Sequence, residues 1–131
     1  MGLWKSLFGS KKNVTATVKA ATLVFTKNLT FVIDEPTIFI GRGKSFEENV
    51  IKTGNSLMIN PYLNAVSRKH AMLTKEESGE YSIVDQGSKY GTFINGIQLM
   101  NDVKVKLENK DRVTLGPINN SGGIKFQILY S

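Results

Sequence analysis

The chain has 131 residues, of which 40% are hydrophobic and 21% charged, so it has enough apolar material for one folded core and is not a disordered tail. It contains no cysteine, which excludes disulfides and thiolate zinc sites, and no apolar run of about 18 residues that could span a bilayer. The formal net charge of +6 suits an anionic partner, whether a phosphorylated ligand, an anionic membrane surface or nucleic acid.

Residues 1–13 form an amphipathic, basic segment that precedes a single predicted domain at residues 14–131. Its apolar residues are Leu3, Trp4, Leu7 and Phe8, and its basic residues are Lys5, Lys11 and Lys12. Gly2, with Ser6 four positions later, matches the N-myristoylation pattern. Because an acyl chain together with basic residues makes a stable anchor, Gly2 is a candidate for lipidation and residues 1–12 are a candidate for contact with a membrane surface. The alternative is a chance match, with the segment packed on the domain or frayed.

The start of the chain also bears on location. It lacks the apolar region of a secretory signal peptide. Together with the absence of cysteine, this indicates an intracellular, cytoplasmic protein, which becomes membrane-associated if Gly2 is myristoylated.

Short segments rich in β-branched and aromatic residues then follow one another, separated by polar turns. The predicted strands are 14–25, 29–33, 37–40, 57–59, 71–74, 81–84, 92–94, 97–100, 104–107, 112–115 and 124–130. The polar stretch 43–56 is predicted to be a loop. Many short strands at this spacing predict an all-β fold, an eleven-stranded β-sandwich of antiparallel type.

Three predicted loops combine a strand end with groups that bind oxyanions, namely guanidinium, hydroxyl, ammonium and exposed backbone N–H. They are Ile40-Gly41-Arg42, Val66-Ser67-Arg68-Lys69-His70 and the segment 88–96. Only three of the seventeen basic residues are arginines, and two of these, Arg42 and Arg68, lie in the loops. Arginine presents a planar, rigid donor fork that matches phosphate, whereas a solvated surface can use lysine.

In this order, Gly41-Arg42, Ser67-Arg68-Lys69-His70 and Gly91-Thr92-Phe93-Ile94-Asn95-Gly96 resemble the signature of the forkhead-associated (FHA) domain family. The segment 109–116 resembles a late segment of the same family, and the similarity runs from about residue 14 to residue 130. The resemblance implies a β-sandwich that binds phosphothreonine peptides through loops at one end.

Carried over to this sequence, the resemblance implies five binding residues. Arg42 contacts the phosphate directly, Ser67 donates its hydroxyl to it, and Arg68 lies beside it. Lys89 stands where family members often place a threonine or serine that also touches the phosphate. Tyr90 stands where they commonly carry an asparagine that bonds the peptide backbone, and a tyrosine hydroxyl cannot copy both bonds of an amide.

Other motif residues are expected to hold the loops in shape. They are Gly41, His70, Gly91, Thr92 and Asn95. His70 is the only histidine, and with no cysteine and no nucleophile–base pattern around it, we expect ring hydrogen bonds within the loop instead of metal binding or catalysis. Asn95-Gly96, between Phe93-Ile94 and Ile97, is a tight hairpin signal.

These features favour a phosphothreonine-peptide-binding adaptor in intracellular signalling, monomeric, with a phosphothreonine-containing protein as partner and with no cofactor, metal or catalytic residue. Two alternatives stay open. One is an FHA domain that docks without phosphate, in which Arg42 is unused. The other is a nucleic-acid-binding β domain, suggested by an isoelectric point near 9.6, although aromatic residues do not alternate with basic ones as base-stacking surfaces require.

Overall fold

The computed structural model describes residues 20–44, 47–118 and 122–131. Within them the chain forms strands and loops, with no helix long and apolar enough to cross a membrane. The strands are β1 (Ala21–Thr26), β2 (Leu29–Ile33), β3 (Thr37–Arg42), β4 (Val50–Thr53), β5 (Ser56–Ile59), β6 (Ala71–Lys75), β7 (Tyr81–Asp85), β8 (Thr92–Ile94), β9 (Ile97–Gln98), β10 (Val105–Lys106), β11 (Arg112–Leu115) and β12 (Ile124–Tyr130). The all-β prediction is confirmed, with twelve strands described instead of eleven. Residues 1–13, the lipidation candidate Gly2 and residues 14–19 of the first predicted strand lie outside the described residues.

The strands form two six-stranded sheets. The first has the order β9-β8-β11-β12-β1-β2, and the second has the order β10-β7-β6-β3-β5-β4. Neighbouring strands are antiparallel except for β3 and β5, which run parallel with Phe39 opposite Ser56 and Arg42 opposite Ile59. The parallel pair brings the ends of β3 and β5 to the same edge of the second sheet.

The core lies between the two sheets and follows the two-residue period of the strands. In β3, for example, Ile38 and Ile40 are buried while Phe39 is 44% exposed on the outer face. Leu23 of β1 and Ile128 of β12 contribute from the first sheet and are likewise fully buried. Apolar side chains from inner faces of both sheets therefore hold the sandwich together.

The prediction of an unbroken loop over residues 43–56 is wrong, because Val50–Thr53 forms strand β4. It pairs antiparallel with β5 through a short turn at Gly54, where φ is +59°. Gly-Asn between two apolar runs is a hairpin signal. The strand pattern of β4 is still hard to recognise in the sequence, because β4 is a short strand at the sheet edge and includes polar residues. Val50 is nevertheless buried in the core.

The two ends of the sandwich are distinct. At one end, the backbone N–H of Gly116 donates to the carbonyl of Gly91, beside the loop that precedes β12. At the other end, Tyr130 pairs with Ala21, and the N–H of Ser131 donates to the carbonyl of Ala20. The candidate loops lie at the first end, so Ala20, the first described residue, lies at the end opposite them.

Candidate functional site

Arg42 is the last residue of β3, two residues beyond the predicted end of that strand at residue 40. Its backbone N–H donates to the carbonyl of Ser67 at 3.0 Å, and its guanidinium Nη1 donates to the carbonyl of Asn64 at 3.2 Å. Both contacts attach the strand end to the loop before β6. Only one side-chain bond is used, so most of the guanidinium donor fork remains for a ligand.

Gly41 allows the loop before β6 to lie directly against β3. A Cβ atom at this position would be 1.7 Å from the carbonyl oxygen of Arg68 and 3.2 Å from that of Ser67. No side chain can be accommodated there while the loop keeps its place. Gly41 therefore sets the distance between Arg42 and the loop that carries Ser67 and Arg68.

His70 connects two of the candidate loops from inside the fold. The backbone N–H of Ser67 donates to Nδ1 of this fully buried ring at 3.0 Å, so Nε2 carries the proton and donates to the carbonyl of Gly91 at 2.9 Å. Burial lowers the pKa of His70, outweighing the Gly91 hydrogen bond and the charge of Asp85, which raise it. The neutral ring is the state that can both accept and donate.

Asp85, which sequence reasoning did not select, organises the turn between β7 and β8. Its buried carboxylate accepts from the hydroxyls of Ser88 at 2.6 Å and Thr92 at 2.7 Å, and from the backbone N–H groups of Gly87 and Ser88. Burial alone would raise the pKa of Asp85, but the hydrogen bonds to Ser88, Thr92 and the backbone together lower it. An aspartate before a Gly-Ser turn was the available sequence signal.

Gly91 and Thr92 follow that turn into β8. Gly91 has φ of +96°, and a Cβ atom there would be 2.7 Å from Nε2 of Gln98. Thr92 is fully buried. Gly91 and Thr92 thus fix the backbone that directly follows Lys89 and Tyr90.

Asn95 lies away from the other predicted residues, at the far end of β8. Asn95 and Gly96 both have positive φ, 51° and 84°, as a type I′ hairpin turn requires. The Asn95 side chain donates to Asp111 at 2.9 Å and accepts from the N–H of Arg112 at 2.9 Å. It therefore links the β8–β9 hairpin to the start of β11.

Ser67 and Lys89 meet across the two loops. The hydroxyl oxygen of Ser67 accepts from the backbone N–H of Lys89 at 2.9 Å, and no described residue accepts the hydroxyl hydrogen. The ammonium of Lys89 lies 5.3 Å from the centroid of the exposed Tyr90 ring, within cation–π range. The Ser67 hydroxyl is thus oriented by one bond and available to donate another.

The five residues predicted to bind ligand line one cleft of about 540 Å3. They are Arg42, Ser67, Arg68, Lys89 and Tyr90, and they are joined there by Asn64, Ala65 and Pro117. The lining includes three cations and no carboxylate. In the described part of the chain, four lysines elsewhere form ion pairs with carboxylates, whereas Arg42, Arg68 and Lys89 form none. A concave site lined by one sign of charge attracts an anion.

Metal chemistry has no support in the described residues. No group of three or more histidine, cysteine, aspartate or glutamate side chains in residues 20–44, 47–118 and 122–131 could hold a metal ion. His70 uses both ring nitrogens for hydrogen bonds inside the loops.

Comparison with known proteins agrees with this geometry. The FHA domain family model matches residues 38–116, which is more than half of the chain and spans the elements that build the cleft. The chain therefore belongs to the FHA domain family, whose members are interaction modules and generally not enzymes. A comparison with curated protein sequences gave no match.

Solved structures show the same fold. The FHA domain of an Arabidopsis thaliana hypothetical protein is 24% identical, with a TM-score of 0.65 and 93% of each chain covered. The N-terminal FHA domain of S. cerevisiae Rad53p, in complex with a phosphothreonine peptide, is 16% identical, with a TM-score of 0.65, 86% of this chain and 94% of that chain covered. The yeast Pml1 splicing factor is 15% identical, with a TM-score of 0.67 and coverage of 98% and 89%.

Proposed function

We propose that this FHA domain is a phosphothreonine-peptide-binding adaptor module in intracellular signalling. The observation that carries the proposal is the cleft in which Arg42, Arg68 and Lys89 converge without a carboxylate partner among the described residues. A phosphate on a partner protein supplies the missing negative charge and accepts several charge-assisted hydrogen bonds.

Each cleft residue has a distinct role in this proposal. Arg42, attached to Asn64, offers its remaining guanidinium donors to the phosphate. Ser67 offers its free hydroxyl hydrogen, and the exposed Arg68 and Lys89 add charge from either loop. Tyr90 has one hydroxyl for the peptide backbone, in place of the two bonds an amide makes.

The first test is the choice between phosphorylated residues. We expect a phosphothreonine peptide to bind more tightly than the matched phosphoserine peptide, because burying the extra methyl group contributes on the order of 0.8 kcal/mol. Ala65 and Pro117 give the cleft the apolar surface that such a methyl group needs. Fluorescence anisotropy with an oriented peptide library in phosphothreonine, phosphoserine and unphosphorylated sets measures the difference. The proposal is contradicted if all three peptide sets bind equally, or if a random DNA duplex binds more tightly than the phosphothreonine peptides.

We also propose that myristoylation of Gly2, with the basic residues that follow it, tethers the module to membranes. Ala20, the first described residue, lies at the end of the sandwich opposite the cleft, so an N-terminal anchor is compatible with a cleft that faces away from the membrane. Gly2→Ala is expected to move the protein from the membrane fraction to the cytosol of eukaryotic cells, as measured by fractionation.

Gly9→Ala is the matched control, since it changes a glycine of the same segment outside the acylation pattern. Mass spectrometry of the wild-type chain should show the added acyl group. An unmodified N-terminus in a host that has the transferase would rule out the anchor and leave the phosphopeptide proposal untouched.

A further inference from the structure

A hollow of about 220 Å3 lies next to the cleft, on the outer face of the second sheet; we name it the lateral hollow. Its lining includes Phe39, Met58, Arg68, Lys69 and Gln86. It shares Arg42 and Arg68 with the cleft, so a bound peptide can extend from one to the other. The lateral hollow is below the size range of about 300–1,000 Å3 that is usual for small-molecule pockets, and it suits a single large side chain.

The lateral hollow is produced by the residues that face outward on β3 and β5. Phe39 and Met58 alternate with buried neighbours and so point away from the core, which leaves Phe39 44% exposed on an interior strand. Phe39 lies opposite Ser56, and Met58 lies opposite Gly41. Because these two partners have a small side chain or none, the apolar groups of Phe39 and Met58 border a depression.

The charge around the lateral hollow is positive. Arg68 and Lys69 are exposed in its lining, and neither forms an ion pair with a carboxylate of the described residues. The lining itself contains no carboxylate. An apolar floor with a cationic border is complementary to an apolar side chain that has an acidic neighbour.

We propose that the lateral hollow is a second subsite for the phosphopeptide, occupied by a bulky apolar side chain with a carboxylate next to it, a few residues from the phosphothreonine. The inference rests on the proposed function, because the phosphate in the cleft fixes where the peptide begins. An extended peptide advances about 3.3 Å per residue, so a short segment reaches from Arg42 to Phe39. The subsite therefore selects among phosphothreonine sequences by contacts that the phosphate does not make.

Fluorescence anisotropy with defined peptides tests the subsite. The plain probe is a phosphothreonine peptide with alanine and serine at all other positions, and the test probes carry a Leu-Glu pair moved through each flanking position. At one position we expect the affinity to rise about five- to tenfold over the plain probe, from partial burial of the leucine. Phe39→Thr should abolish the rise and leave binding of the plain probe unchanged, which also shows that the variant is folded.

Val32→Thr is the matched control, because Val32 is an exposed apolar strand residue, 66% accessible, that belongs to the other sheet. It should keep the full rise in affinity.

If the plain probe binds but no position gives a rise in affinity, or if the rise survives Phe39→Thr, the subsite proposal is wrong and the proposed function stands. If no phosphothreonine probe binds, the subsite proposal and the proposed function are both wrong. A dimer in light scattering that Phe39→Thr dissociates would assign the lateral hollow to a second copy of the chain and overturn the inference.

Discussion

Arg42→Ala is expected to weaken phosphothreonine-peptide binding by roughly 2–5 kcal/mol, the range for removing one partner of a desolvated charge pair. Arg42 is the cleft residue whose guanidinium is positioned by both its own backbone bond to Ser67 and a side-chain bond to Asn64. Its loss removes a donor fork of fixed geometry from the phosphate. Isothermal titration with a phosphothreonine peptide measures the change in affinity.

Arg42→Lys separates geometry from charge. It keeps the positive charge but loses the planar fork, so we expect substantial loss of affinity for this variant as well. Arg112→Ala is the matched control, since Arg112 is exposed and does not line the cleft. The thermal midpoint should change little, because Arg42 is outside the core and its side chain makes a single hydrogen bond, to the Asn64 carbonyl. If the Arg42→Ala protein is folded and binds the phosphothreonine peptide with wild-type affinity, the cleft is not the phosphate-binding site.

The elements that sequence patterns predicted best are those whose signal is local. Asn95-Gly96 predicted a hairpin, and both residues have the positive φ that this turn requires. The segment 112–115 was predicted as a strand and forms β11, although Thr114 is buried along with Val113 and Leu115. Such patterns depend only on residues that are close together in the chain, so one sequence is enough to recognise them.

The cleft was predicted in part, since the loops that carry Arg42, Ser67 and Lys89 were selected from residue type and from the resemblance to the FHA family. The hydrogen bonds that hold these loops in position could not be predicted from the sequence. The bond from the Lys89 N–H to the Ser67 hydroxyl joins residues 22 positions apart, and the His70 bond to Gly91 spans 21. These contacts depend on the packing of the whole sandwich.

The remaining misses have the same cause. Asp85 is a buried acceptor whose partners come together only when β7 and β8 are folded, so it was not predicted as a site residue. The lateral hollow depends on the parallel pairing of β3 with β5, which puts Phe39 opposite Ser56. Neither arrangement has a periodic signal along the chain.

Gly41→Ala is expected to lower the free energy of unfolding by roughly 2–4 kcal/mol, from overpacking and from hydrogen bonds lost as the loop moves. The new methyl carbon would meet the backbone of Arg68, with 1.7 Å to its oxygen and 2.6 Å to its carbon, and a backbone cannot rotate aside as a side chain can. Relief requires the loop to move off β3, which breaks the bond from the Arg42 N–H to the Ser67 carbonyl and that from the His70 N–H to the Ile40 carbonyl.

The same movement separates Arg42 from Ser67, so Gly41→Ala should also weaken phosphothreonine binding at temperatures where the protein is still folded. Gly54→Ala is the matched control, because nothing lies within 4 Å of its added carbon and its cost is the left-handed backbone at φ +59°, about 1–2 kcal/mol. It should lower stability without changing affinity, since Gly54 does not line the cleft. Urea denaturation and peptide titration of both variants measure the two effects independently. Wild-type stability in Gly41→Ala would mean that the loop does not lie against β3, and wild-type affinity in a destabilised variant would mean that the spacing of Arg42 and Ser67 does not govern binding.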